Sequence, residues 1–277
     1  MKKILSLVLA LAVALCMTAA LAEEDTALEE AAEEIVGAVE EAAEEIVEAE
    51  EEAAEELGEE EEADVSLMSY EDYALAEIDA PVYVETYVQA TQSWWDNKIT
   101  VYAQSEDGAY FIYNMACSKE DAAKLVPGTK IAVKGYKTEW SGEVEIAEGA
   151  TFEFVEGEPF VAEAADVTAL LGTEELIEHQ NELVAFKGMT VEAYNDTGAA
   201  FAYKNAENKT DDLYFKVSKD GQVYDFCVEF YLCGNDTDVY KAVEALQVGD
   251  VIDLEGFLYW YNGANPHIVS VTPAANE

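Results

Sequence analysis

Arginine is absent from this sequence of 277 residues, and its only cations are 14 lysines. They stand against 60 Asp and Glu, a formal net charge of −46. Binding a polyanion depends on cations that neutralise phosphates and release counterions, so this composition argues against a nucleic-acid partner. Anionic membrane surfaces are disfavoured for the same reason. Histidine is scarce, with only His179 and His267, and no CxxC pair is present. No metal site is therefore expected. A glycine-rich phosphate loop and a nucleophile elbow are also missing. Acidic pairs are so common here that they nominate no catalytic dyad. The chain reads as a non-enzyme with no catalytic residue and no cofactor. No apolar run after the first 22 residues is long enough to span a bilayer.

Cysteine is sparse as well. Apart from Cys16, the chain has Cys117, Cys227 and Cys233. The last two are read as lying in one strand, about 20 Å apart when extended, which is too far for a disulfide. Three buried free thiols are expected.

What the sequence does contain begins with an export signal. Lys2 and Lys3 precede an apolar run over 4–20, and Ala20-Leu21-Ala22 is a small-x-small cleavage site before Glu23. Leu15 before Cys16 is too bulky for lipoprotein processing, so a secreted protein without a lipid anchor is expected. Residues 23–64 hold 22 acids and no lysine. Their sequence repeats at eleven residues: LEEAAEEIV at 28–36, VEEAAEEIV at 39–47, and in part EEEAAEEL at 50–57. The spacing predicts a helix with an alanine-rich stripe and a crowded glutamate face, hence one of marginal stability. A solubilising leader is the preferred reading. A self-associating stalk that makes the protein a structural or assembly spacer is the alternative.

With 51% apolar and 11% aromatic residues, the chain can bury a substantial core. The remainder is strand-like and repeats itself. The run from Ile99 to Gly108 matches that from Leu213 to Gly221, each ending on an Asp-Gly turn. The next strands are read as ending on equivalent cysteines, Cys117 and Cys233. A short helix follows in each copy, capped by Ser118 with Asp121 and by Asn235 with Asp238. Gly128 and Gly249 stand 121 residues apart, as do Gly135 and Gly256. Finally Trp140-Ser-Gly142 matches Tyr261-Asn-Gly263 as a turn into the last strand.

The order in each copy is three strands, a helix, then two strands. That order resembles the OB-fold. The whole is similar to the tandem OB-fold-like modules of exported bacterial proteins, a family of unassigned function. The resemblance implies a mainly β protein of two tandem five-stranded barrels, each with a short helix between strands three and four, after the acidic segment. The domains are read as a first barrel over 65–160 and a second over 161–277.

OB barrels bind ligands beside the loops that join strands one and two and strands four and five. There the candidate ligand-binding residues are Trp94, Trp95, Asn97, Trp140, Tyr261 and Asn262. Flat rings beside polar groups suit stacking, and the expected partner is an extracellular glycan, peptide or cationic protein. Single-stranded nucleic acid is the disfavoured alternative, because residues 65–277 alone carry 38 acids and 12 lysines. Lys130, Lys134 and Lys137 are expected on solvated strand faces. The loops Asn195-Asp196-Thr197 and Asn235-Asp236-Thr237-Asp238 are read as turn and cap chemistry rather than calcium ligands.

Overall fold

The computed structural model describes residues 65–207 and 209–275. The export signal of 1–22 and the eleven-residue repeat of 23–64 lie outside the described residues. Residues 65–277 form one unit that holds both barrels.

The first barrel follows helix α1 (Tyr70–Leu75), whose Ser69 and Asp72 make a reciprocal capping box. Its strands are β1 (Pro81–Thr91), β2 (Lys98–Gln104), β3 (Ala109–Ala116), β4 (Lys130–Trp140), β5 (Glu143–Ile146) and β6 (Thr151–Phe154), with helix α2 (Lys119–Ala122) after β3. Their order is β1-β2-β3-β5-β4, and β4 returns to β1, which closes the barrel. The second barrel has β7 (Ala165–Asp166), β8 (Leu183–Glu192), β9 (Phe201–Tyr203), β10 (Leu213–Lys219), β11 (Gln222–Val228), helix α3 (Asp238–Glu244), β12 (Val251–Phe257) and β13 (His267–Pro273). It closes in the equivalent order, β8-β10-β11-β13-β12, with β12 back on β8. Among the five ring strands of each barrel one pairing is parallel, β3–β5 and β11–β13, and β7 adds a parallel pairing to β8. These are two closed five-stranded barrels in tandem with OB topology.

Strand alternation supplies the cores. Along β1, Val82, Val84 and Val88 point inward to meet Ile112, Ile131 and Ile146. In the second barrel Phe186, Phe215, Phe226 and Leu254 fill the equivalent space. Each such side chain contributes roughly 1.5–3 kcal/mol on burial. The repeated glycines sit where chains cross closely. A Cβ on Gly256 would lie 2.4 Å from the His267 carbonyl oxygen, and one on Gly135 would lie 2.7 Å from the Ile146 side chain. In the second hairpin Asp220 and Gly221 both adopt positive φ, a two-residue turn matched to strand twist.

Several sequence expectations are corrected by the fold. The strand β11 ends at Val228 instead of running to Cys233. Glu229 causes the break, because its carboxylate accepts the N–H groups of Tyr231 and Leu232 and folds 229–233 into a turn. Cys233 is buried in that turn; Cys117, Cys227 and Cys233 are all free thiols. The cap of α3 is Thr237, whose Oγ1 accepts the Tyr240 N–H, while the Asn235 side chain donates to the Lys209 carbonyl. Lys137 is not solvated: it is 5% exposed, and its ammonium donates to the carbonyls of Tyr73, Ala74 and Ala76 at the end of α1. That terminus carries partial negative charge, which favours a cation there. Before β8, Glu174–His179 form a 3-10 helix whose first flanking residue, Thr173, makes no side-chain cap hydrogen bond.

The barrels meet along a buried seam. Tyr102 stacks on Phe257 with ring centroids 4.6 Å apart, and Phe111 meets Tyr259 edge-on at 5.1 Å. Polar contacts flank these rings. Gln180 Nε2 donates to the Gly142 carbonyl at 2.8 Å, and Asn181 Nδ2 to the Val144 carbonyl at 3.0 Å.

Candidate functional site: an aromatic cleft between the barrels

The seam opens on one side into a cleft of about 990 Å³. Two backbone contacts hold its rims. The Ser93 N–H donates to the Tyr231 carbonyl at 2.7 Å, tying the loop between β1 and β2 to the turn at 229–233. The Asn262 N–H donates to the Ser141 carbonyl at 2.7 Å, tying together the turns that follow β4 and β12. The barrel that supplies one wall therefore fixes the position of the other.

Three of the six candidate residues line this cleft: Trp95, Trp140 and Tyr261. All three are exposed. The other three do not line it. Trp94 packs against the first core, and its indole N–H donates to the Cys117 carbonyl at 2.9 Å. Asn97 has φ of 58° and Asn262 of 54°, so each supplies the left-handed backbone that a tight turn needs. Trp260 lies partly buried against the second core, with its ring beside Gly142.

Sequence reasoning missed the rest of the lining. Tyr113 faces outward from β3, Tyr231 stands on the turn made by Glu229, and Tyr259 follows β12. Tyr259 is held from both sides, stacked on His267 at 4.3 Å and touched edge-on by Phe111. An outward aromatic in the alternation of β3 was the one available signal for Tyr113. Tyr259 begins the aromatic-rich run 259–262 at the second copy's loop between strands four and five, so its neighbourhood was legible, whereas nothing local pointed to Tyr231.

The polar groups are mostly acceptors. Asp212 accepts from the Phe230 N–H at 3.0 Å, the Tyr214 hydroxyl at 3.1 Å and the Lys204 ammonium at 3.2 Å. Lys204, the lysine lining the cleft, is thereby neutralised, with Asp211 also 3.2 Å away. Glu229 is held by two N–H groups, and burial pushes its carboxyl up to about 7. Glu145 is 6% exposed and lines the cleft, with no hydrogen-bond or ion-pair partner among the described residues. Burial pushes its carboxyl up to about 7 as well.

At the back of the cleft lies His267. Tyr102 accepts a hydrogen bond from Gln92 at 3.4 Å, which leaves its hydroxyl free to donate to His267 Nδ1 at 2.7 Å. Burial depresses the imidazole to about 4, so it is neutral at physiological pH. Cys227, also at the cleft, is pushed well above the usual thiol range by burial. The arrangement offers stacking surfaces and hydrogen-bond acceptors, and its lysine is already paired. It can hold a flat ring that brings its own N–H donors. No group of three or more His, Cys, Asp or Glu able to hold a metal ion occurs among the described residues.

No family model matches this chain, and no curated protein matches it. Solved structures do. A murine DNA-binding protein bound to double-stranded DNA is 14% identical, covering 70% of this chain and 97% of that one, with a TM-score of 0.34. A HINa domain in complex with 20 base pairs of double-stranded DNA is 13% identical, covering 72% and 98%, with a TM-score of 0.31. A HINb domain is 14% identical, covering 68% and 95%, at 0.30. The expected glycan, peptide or cationic-protein ligand, with nucleic acid excluded, differs from what these neighbours hold, two of them being bound to double-stranded DNA. Net charge does not by itself exclude a nucleic-acid partner. Charge opposes contacts to phosphates and says little about contacts to the faces and edges of bases.

Proposed function

We propose that this chain is an exported, non-catalytic protein whose tandem barrels bind unpaired nucleobases in the aromatic cleft. One observation carries the reading: exposed rings from both barrels line a single cleft whose acidic groups, Glu145, Asp212 and Glu229, outnumber its one lysine, which is already paired. Every base has a π-face, and stacking on an aromatic side chain contributes about 1–3 kcal/mol per base. Carboxylates accept from the N–H groups of base edges. Phosphates would stay in solvent, outside a surface of strongly negative charge. The basic start and apolar run of the first 22 residues support export.

This reading makes an unusual demand of salt. A basic groove loses affinity for nucleic acid as salt rises. Here added salt screens repulsion, since the Debye length falls from about 30 Å at 0.01 M to about 10 Å at 0.1 M. Short single strands titrated against the full chain, followed by tryptophan fluorescence, should bind more tightly as salt is raised. Duplex of the same sequence should bind more weakly, because its bases are already stacked and paired. Tighter binding to duplex, or affinity that falls steeply with salt, would place the contacts on phosphates and overturn the reading.

A further inference from the structure

Glu145 is unlike the other carboxylates at the cleft. It sits on β5, in register with Phe111 of β3 and Thr138 of β4. Its neighbours two residues away and across the cleft each have a donor, although Glu143 uses only Oε2 and keeps Oε1 buried, outside the cleft lining and without a partner among the described residues. Glu143 accepts from the Trp260 N–H at 2.7 Å and from Gln180 at 3.2 Å. Glu229 accepts two backbone N–H groups, and Asp212 accepts from a backbone N–H, a hydroxyl and an ammonium. Glu145 alone among these is more than nine-tenths buried, lines the cavity and lacks a partner among the described residues. A buried carboxylate without donors is unfavourable, and the fold retains this one beside an open cavity rather than inside a core. The residue in register with it, Phe111, braces the ring of Tyr259, which also lines the cleft. The unpartnered acceptor and a stacking surface thus face the same space.

Resting on the nucleobase reading, we infer that the cleft is selective for guanine, with the Glu145 carboxylate accepting from N1–H and the N2 amino group. An ionised carboxylate has two parallel acceptors and no donor. Guanine presents two adjacent N–H donors on its Watson–Crick edge, which match that fork. Adenine and cytosine each place a ring-nitrogen acceptor beside their amino group, so one carboxylate oxygen would face a lone pair. Uracil flanks its single N–H with two carbonyls, and both would repel the carboxylate. Inosine keeps N1–H and lacks the N2 amino group, so it isolates one of the two bonds.

The test is a calorimetric and fluorescence titration of the full chain with guanosine, inosine, adenosine, cytidine and uridine. Guanosine should bind about tenfold more tightly than inosine or uridine, the scale of one good bidentate base contact. Glu145→Gln replaces one acceptor with a donor and should bring guanosine down to the level of inosine while the nucleosides still bind by stacking. Trp140→Ala, at an exposed ring, should weaken all five together and leave the order unchanged. Equal affinities for guanosine and uridine, or a guanosine preference that survives Glu145→Gln in a folded variant, would overturn the guanine assignment while leaving nucleobase binding in place. Failure of every nucleoside to bind would overturn both.

Discussion

The two barrels share one chassis and differ where they face each other. Both close in the same strand order, and both place a glycine at equivalent positions 121 residues apart, Gly135 and Gly256. Their differences lie in the connections. The first barrel interrupts its last strand, so that β5 ends at Ile146 and β6 resumes at Thr151. The second keeps β13 continuous, and instead inserts β9 and the turn at 229–233. Those second-barrel additions bring Tyr231 to the cleft rim and Lys204 to Asp212. A repeated fold can therefore build an asymmetric site, because the chassis sets core packing while the connections set what meets across the seam.

The equivalent glycines give the sharpest way to break this comparison. A Cβ at Gly256 would press on backbone, 2.4 Å from the His267 oxygen and 2.8 Å from the Ile268 Cα. A Cβ at Gly135 would press on side chains, 2.7 Å from Ile146 and 2.9 Å from Ala150. Side chains yield more easily than paired strands. Gly256→Ala should cost more than about 4 kcal/mol, at the exceptional end for one substitution. Gly135→Ala should cost about 1–3 kcal/mol, the usual range for overpacking. Denaturant unfolding of both variants measures the difference. Equal costs would mean that the two crossings are mechanically alike, against the geometry.

The seam supplies a second contrast, because a buried carboxyl from the first barrel and a buried imidazole from the second shift in opposite directions. The first contributes Glu143, which burial pushes up to about 9. The second contributes His267, which burial depresses to about 4. For Glu143 the folded state holds a proton that the unfolded chain releases above about 4.5, so its contribution is lost as pH rises toward 9. For His267 the unfolded chain binds a proton below about 6.5 that the folded state refuses, so stability falls as pH drops toward 4. Glu145 and Glu229 act in the same direction as Glu143, up to about 7. Glu143→Gln should keep an acceptor for the Trp260 N–H and raise stability at pH 9 by on the order of 2 kcal/mol, with little change at pH 5. His267→Asn should flatten the acid side of the profile instead. Thermal melts of both variants from pH 4 to 9 decide it. A Glu143→Gln profile parallel to the parent would show that the carboxyl is already ionised in the seam.

Strand order was legible in the sequence because it follows from local signals: Asp-Gly turns, two-residue alternation and glycines that recur at one spacing. The cleft was legible only in part. Trp95, Trp140 and Tyr261 could be named because they lie at loop tips, where barrels of this topology present side chains. Trp94 lies one residue from Trp95 but its indole finds a carbonyl inside the first barrel, and alternation alone does not show which of two adjacent rings turns inward. Asn97 and Asn262 looked like ligand groups; they take the positive φ of turns and do not line the cleft. Glu145 was one acid among many in the sequence. Its isolation appears only when the second barrel covers β5, a long-range event with no local trace. Lys137 misled for a similar reason, since its partners are carbonyls of a helix more than 60 residues earlier.

The smallest effect concerns the helices between strands three and four, where the barrels differ again. Helix α2 has four residues and buries none of them, while α3 has seven and buries Val239, Tyr240 and Val243. In α2 the Ser118 hydroxyl accepts the Asp121 N–H at 3.1 Å and donates to the Asp121 carboxylate at 2.7 Å. In α3 the Thr237 oxygen is 3.4 Å from the Tyr240 N–H, a weaker bond, but the helix it starts is packed into the second core. Removing a cap costs about 0.5–2 kcal/mol, and the loss reaches global stability only where the helix is coupled to the core. Thr237→Ala should therefore lower the unfolding free energy by about 1 kcal/mol, and Ser118→Ala by less, as α2 frays without disturbing its barrel. Asn235→Ala should cost less than Thr237→Ala, since it removes one exposed bond to the Lys209 carbonyl and no cap. Amide exchange over 238–244 would separate the two variants of the second helix. Faster exchange in Asn235→Ala than in Thr237→Ala would return the cap to Asn235 and make the two helix starts alike after all.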